Sequence, residues 1–145
     1  MPTRTAQTAW TGTLQDGGGV VALVSSGVAS FDVSFPRRAA DDAEGVTSPE
    51  ELIAAAHSAC FAMALSAEIA GAGATPLDLD VRADVSLGPD PAGGFHLSGI
   101  ALTVRGSVEG LDAAGFVAAA ERAKAGCPVS KALTGVAITL DAALA

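Results

Sequence analysis

The stretch TSPEELIAAAHSACFAMALS, residues 47–66, decides the fold, because it can only be one long helix. Ser48 fits the N-cap, Pro49 the first helical position and Glu51 the third position of a capping box, where its carboxylate is expected to fold back on the N-cap. The run continues to about Ala70, and GAG at 71–73 stops it. The uncharged part, Leu52–Ala67, is 16 residues long and is interrupted by His57, Ser58 and Ser66. That is short of a bilayer span and reads as a buried core helix. It is apolar nearly all round, so the helix is expected to be buried, a second subunit being one way to cover it.

The flanks read as strands. Residues 5–14 are Thr-rich, DGGG at 16–19 reads as a turn, VVALVSS follows, and FDVSF at 31–35 alternates as a third strand that Pro36 ends. Residues 37–47 are expected to be a loop. Beyond the helix, Leu77, Leu79, Val81, Ala83, Val85 and Leu87 alternate with polar residues, as in a half-buried antiparallel strand. GPDPAGG turns it into FHLSGIALTVRGSVEG. A helix is predicted over about 112–125 with Asp112 as N-cap, a short one restarts at Cys127–Pro128, and VAITLDAAL closes as a strand. Hairpin-grouped strands with a few helices make the chain α+β, and 145 residues fit one domain, 1–145.

Composition excludes some partners. The net charge is −8, so neither nucleic acid nor an anionic membrane surface is an expected partner. No apolar segment of a signal peptide opens the chain, and a reducing cytoplasm is the expected compartment. There a permanent structural disulfide between the only two cysteines, Cys60 and Cys127, is not expected.

The residues alone leave the role of that pair open. A cysteine among alanines behaves as a small buried hydrophobe. A metal site would need two more ligands; His57 and Cys60 share a helix face at i, i+3, but no second local pair joins them. His57 by itself reads as a partly buried, hydrogen-bonded histidine. A reactive pair is the third reading, since Cys127 opens a helix, where a thiolate is favoured. Cys60 lies mid-helix, so its thiolate would need a neighbouring cation, and Arg37 and Arg38 are the only adjacent basic pair. Of the acids, the capping box explains Glu51 more specifically than Glu50. Ten residues separate Glu50 from Cys60, about 15 Å of helical rise, so Glu50 could serve that thiol only through a long arginine or a second subunit.

Residues 47–66 together with KAGCPVSKAL at 124–133 resemble the OsmC/Ohr family of hydroperoxide reductases, and the order of elements resembles it over the whole chain. The histidine in AAHSACF and the KAGCPVS box look more like the OsmC branch than the Ohr branch. The resemblance implies an OsmC-like fold: antiparallel sheets wrapped around long central helices in an intertwined homodimer with two sites at its interface. It puts Cys60 on the peroxidatic and Cys127 on the resolving cysteine, and Glu50 on the glutamate that holds the catalytic arginine. Arg38 is preferred for that arginine by its offset from Phe35, with Arg37 the alternative and His57 a possible supporting residue.

The activity so implied is thiol-dependent reduction of organic hydroperoxides, and of hydrogen peroxide as a smaller substrate. It proceeds through a Cys60 sulfenic acid and a Cys60–Cys127 disulfide, with no cofactor or metal. An external dithiol or a lipoylated protein would restore the thiols. The apolar neighbours Phe61 and Met63 are expected to favour an organic peroxide. The competing readings within the fold are a redox sensor and a ligand-binding member with inert cysteines.

Overall fold

The computed structural model describes all residues, 1–145. It is α+β, with two three-stranded sheets and four helices. Two compact units divide the chain, Met1–Leu52 and Ile53–Ala145.

The first unit holds an antiparallel sheet of order β1-β2-β3: β1 (Gln7–Thr11), β2 (Gly18–Ala22) and β3 (Ser30–Val33). The first turn comes earlier than the DGGG motif implied. Gly12 takes the left-handed conformation at φ +88°, so the chain reverses there and Gly18 and Gly19 already lie in β2. The expected loop from residue 37 is also corrected, because a one-turn helix, α1 (Phe35–Arg38), follows β3 at once. Ser34 caps it by accepting the Arg37 amide proton at 3.4 Å, and Pro36 in the first turn needs no amide partner. Arg37 and Arg38 therefore sit on a fixed helical turn. Of this unit's apolar side chains only Val21 is buried; Trp10, Leu14, Val20 and Phe31 stay exposed.

Helix α2 (Pro49–Gly71) begins as its cap predicts, the Glu51 amide donating to Ser48 Oγ at 3.2 Å. The carboxylate of Glu51 departs from the reciprocal capping box: it accepts from the Thr47 hydroxyl instead. Gly73, at φ +80°, lets the chain leave the helix. At 23 residues α2 is long and apolar enough to cross a membrane by length and composition, which the 16-residue count understated. Its packing makes it a core helix nonetheless: His57, Phe61, Leu65 and Ile69, spaced four apart, form a fully buried stripe. The expectation that it would be buried all round does not hold within one chain, since Met63 is 73% exposed.

In the second unit β4 (Thr75–Pro89) and β5 (Phe95–Glu109) form a long antiparallel hairpin, closed by Gly93 and Gly94 at positive φ. The alternation holds from Leu79 onward. Leu77 is the exception, because a bulge between Pro76 and Asp78 turns it outward to 61% exposure. Helices α3 (Ala113–Gly126) and α4 (Pro128–Ala132) then cross over, and β6 (Ile138–Leu144) joins β5 in parallel. The second sheet, β4-β5-β6, is therefore mixed, where antiparallel pairing alone was expected. A parallel neighbour requires such a crossover, and α3 with α4 provides it. The core lies between the α2 stripe, Leu102 and Val104 of β5, and Phe116, Ala119, Ala120 and Ala123 of α3. Small alanines bring α3 in close, and Gly106 leaves room for the Phe116 ring.

Candidate active site

The second unit brings the two cysteines together. Cys60 comes from the middle of α2, partly exposed; Cys127 comes from the junction of α3 and α4, fully buried. Cys127 belongs to both helices: its N–H donates to Ala123 O at 2.8 Å, ending α3, and its carbonyl accepts from Lys131 N–H at 3.0 Å, opening α4. Pro128, which has no N–H to offer a continuing helix, makes the break. The two thiols, 67 residues apart in sequence, lie near enough in the fold for each to shift the other's acidity.

Their surroundings divide the pair. Burial alone would raise the Cys127 thiol, but the Ser130 amide, the Cys60 thiol, the Ser130 hydroxyl and the Val129 amide together hold it below its ordinary value. The Cys127 side chain makes no capping hydrogen bond of standard geometry, so these act as weak donors, as is usual for sulfur. Burial raises the Cys60 thiol; the Val129 amide opposes this, and the neighbouring Cys127 adds to the rise. Within the surroundings α2, α3 and α4 provide, the negative charge is favoured on Cys127.

His57 lies one turn before Cys60 and is fully buried, deeper than the partly buried residue expected. Its Nε2 is 2.7 Å from Ser130 Oγ. Burial lowers its pKa and keeps the ring neutral at neutral pH. No cluster of three or more His, Cys, Asp or Glu side chains forms a metal-binding group, so His57 and Cys60 gain no third ligand.

The first unit brings Arg38 and Glu50 together. Arg38 Nε donates to both carboxylate oxygens of Glu50 at 3.1 Å, and its terminal nitrogen donates to Oε1 at 2.7 Å. Burial would push the Glu50 carboxyl up, yet its hydrogen bonds from Arg38 and from its own amide hold it below the usual range. That same hydrogen bond is the chief cause that raises the guanidinium's own, already high, pKa. Arg37 turns the other way and pairs with Glu44 at 2.6 Å on the surface. Arg38 and not Arg37 is thus the arginine that Glu50 orients.

Beside Arg38, within the first unit, lies a largely apolar cavity of about 370 Å³, walled by Trp10, Leu14, Val21, Phe35 and Leu52. Its chemistry suits an alkyl or aryl group next to a cation. The expected apolar surround of Phe61 and Met63 is corrected: Phe61 is core and Met63 faces outward. Sequence reasoning missed Ser130 and the cavity wall. The only sign of Ser130 was its place three residues after Cys127, where an N-cap side chain meets the helix.

The sequence model of the family described as OsmC-like protein matches residues 41–141. The chain belongs to the OsmC family. It is 44% identical to peroxiredoxin OsmC of Escherichia coli (strain K12) over 93% of this chain and 92% of that protein. It is 36% identical to the organic hydroperoxide resistance protein OhrA of Bacillus subtilis (strain 168), over 83% of this chain and 85% of that one. Among solved structures, an organic hydroperoxide resistance protein from Elizabethkingia anophelis superposes with a TM-score of 0.81 at 29% identity, covering 100% of this chain and 98% of the other. The OsmC resemblance drawn from the two cysteine boxes therefore holds, and both boxes lie inside the matched region.

Proposed function

We propose that this chain is a cysteine-based peroxidase that reduces organic hydroperoxides to alcohols, with hydrogen peroxide as a smaller substrate. The observation that carries the reading is the juxtaposition of one reachable and one buried free thiol, near enough to influence each other, in an OsmC chain. The relatives named peroxiredoxin OsmC and organic hydroperoxide resistance protein support the substrate class.

Access assigns the order of events. A peroxide can reach the partly exposed Cys60 and not the buried Cys127, so Cys60 is the nucleophile. Its thiolate attacks the distal oxygen, the O–O bond breaks, and the alkoxide leaves with a proton as ROH. The Cys127 thiolate then attacks the Cys60 sulfur; the S–O bond breaks, hydroxide takes up a proton to become water, and the disulfide forms. An external dithiol, as on a lipoylated protein, returns both thiols by exchange. No cofactor enters this cycle.

Because burial and Cys127 both raise the Cys60 thiol, a cation must offset them. The family resemblance assigns that role to Arg38, which Glu50 orients, and with it the steadying of charge on the leaving oxygen. The working form is a homodimer in which residues 1–145 act as one OsmC-like domain, and its compartment is the cytoplasm, where thiols are kept reduced.

Intact-mass analysis after one equivalent of cumene hydroperoxide tests the reading. A loss of two hydrogens mapping to a Cys60–Cys127 link is expected, with steady peroxide consumption when dithiol is added. No mass change would leave inert cysteines, and a disulfide without turnover would leave a sensor.

A further inference from the structure

We propose that Trp10 seats an aromatic ring in the cavity beside Arg38, and so makes the chain selective for aryl over alkyl hydroperoxides; the selectivity rests on the peroxidase reading above, the seat does not. Trp10 and Arg38 both wall the cavity of about 370 Å³ in the first unit. That volume lies within the range of small-molecule sites, about 300–1,000 Å³.

The strand places the indole and its neighbours fix it. Side chains of β1 alternate, so Thr8 and Trp10 share a face, and both line the cavity. Across the sheet Trp10 is in register with Gly19 of β2. A Cβ at position 19 would lie 3.0 Å from Trp10 Cε3, so glycine there gives the indole room to lie over the neighbouring strand. The indole N–H donates to Gly12 O at 2.9 Å, and Gly12 stands in the left-handed conformation that reverses the chain after β1. The polar edge of the ring is thereby satisfied and its orientation set. Trp10 is still 43% exposed, so much of the ring surface is open. A large side chain ordered in advance loses little freedom when a ligand arrives.

The aliphatic wall, Leu14, Val21 and Leu52, would accept any apolar group of suitable size. Trp10 adds an electron-rich π face, which prefers the edge or the offset face of a second ring. Phe35, the other aromatic residue of the wall, is half-buried. Arg38 serves the polar end of the ligand. Glu50 engages its Nε and Nη2, and Nη1 stays outside that fork as a donor to an oxygen atom. A molecule with an aromatic ring at one end and a hydroperoxyl or hydroxyl oxygen at the other matches both groups. A tert-butyl group lacks the ring.

The chain has one tryptophan and no tyrosine, so its indole emission is that of Trp10 alone. Reduced wild-type protein is titrated with cumyl alcohol, the unreactive product of cumene hydroperoxide, and with its saturated analogue, in which cyclohexyl replaces phenyl. Cumyl alcohol should move the emission to shorter wavelength and saturate, and the analogue should need about fivefold more for the same shift. The ratio of kcat/KM for cumene hydroperoxide to that for tert-butyl hydroperoxide is then compared between variants. Trp10→Leu, which keeps an apolar wall without the π face, should lower this ratio about fivefold, and Trp10→Phe, which keeps a ring, should retain most of it. A general loss of stability or activity scales both rates and leaves the ratio unmoved. No response to cumyl alcohol, or equal affinity for the two alcohols, overturns the seat. An emission that follows protein concentration and not the alcohol overturns it too, since Trp10 would then be a subunit contact. A Trp10→Leu ratio equal to that of the wild type overturns the selectivity. A wild type that binds cumyl alcohol as expected and consumes neither peroxide overturns the peroxidase reading and the selectivity with it, and upholds the seat. Should Trp10→Leu fail to fold, the wild-type titration decides.

Discussion

At the scale of single residues, the two arginines of FPRR behave as different groups because each meets a different acid. Arg38 is clamped by Glu50 in a partly buried fork, whereas Arg37 pairs with Glu44 on the surface. Arg38→Ala should therefore lower the rate of peroxide reduction by about 10²–10³-fold, the usual cost of removing a preorganised donor, and Arg37→Ala should change it little. Initial rates with cumene hydroperoxide decide this, and the reverse order would reassign the cation. The pair also links stability to pH. Glu50 has a folded-state pKa below its unfolded value of about 4.3, so its contribution is complete above that pH and is lost as pH falls through the folded value. Melting temperatures taken from about pH 7 to about pH 3 should fall more in the wild type than in Glu50→Gln, which has already given up about 1 kcal/mol at neutral pH. Parallel curves would remove this pair from the acid response. The choice between Arg37 and Arg38 was only half legible beforehand. Two adjacent arginines look alike in a sequence, and what separates them is the phase of a helical turn set by Ser34 and Pro36.

At the scale of elements, legibility followed the range of the interaction. The start of α2 was readable because Ser48, Pro49 and Glu51 act within one turn, and the same holds for Asp112, which accepts the Gly115 amide proton at 2.8 Å. The direction of β6 was not readable. Its alternation marks a strand, but pairing to β5 in parallel depends on where α3 and α4 deliver it. The outward turn of Leu77 was hidden for the same reason, since a bulge is a mismatch between two strands and neither strand shows it alone. Gly106 is a further case, read from composition as one glycine among 17. A Cβ there would lie 2.8 Å from Leu79 Cδ2 and 2.9 Å from Phe116 Cζ. Phe116 is fully buried and has little freedom to move aside. Gly106→Ala should cost about 1–3 kcal/mol by overpacking. Denaturant unfolding measures it, and a neutral result would show that β5 and α3 can part without loss.

At the scale of the whole molecule, the distribution of apolar surface asks for a second copy of the chain. In Met1–Leu52 the sheet β1-β2-β3 buries only Val21 among its apolar side chains. A three-stranded sheet without a covered hydrophobic face is not expected to be stable in water. Helix α2 has the same deficit on the side away from its buried stripe, where Met63 is 73% exposed on a helix with alanines at 59, 62 and 67. Small residues around one large one allow a second helix to approach closely, and burying Met63 alone would contribute about 1.5–3 kcal/mol. The proposed homodimer would cover such a face symmetrically, each α2 meeting its counterpart. Sedimentation equilibrium should then give twice the 14.2 kDa chain mass. Met63→Glu should shift the protein towards the single-chain mass, because a dimer axis near α2 would bring two carboxylates together in an apolar seam. If the proposed peroxidase needs that assembly, peroxide consumption should fall in step with the dimer fraction and recover at higher protein concentration by mass action. A Met63→Glu chain that remains dimeric with full activity would move the interface elsewhere. A monomeric wild type with full activity would show that one chain carries the whole site.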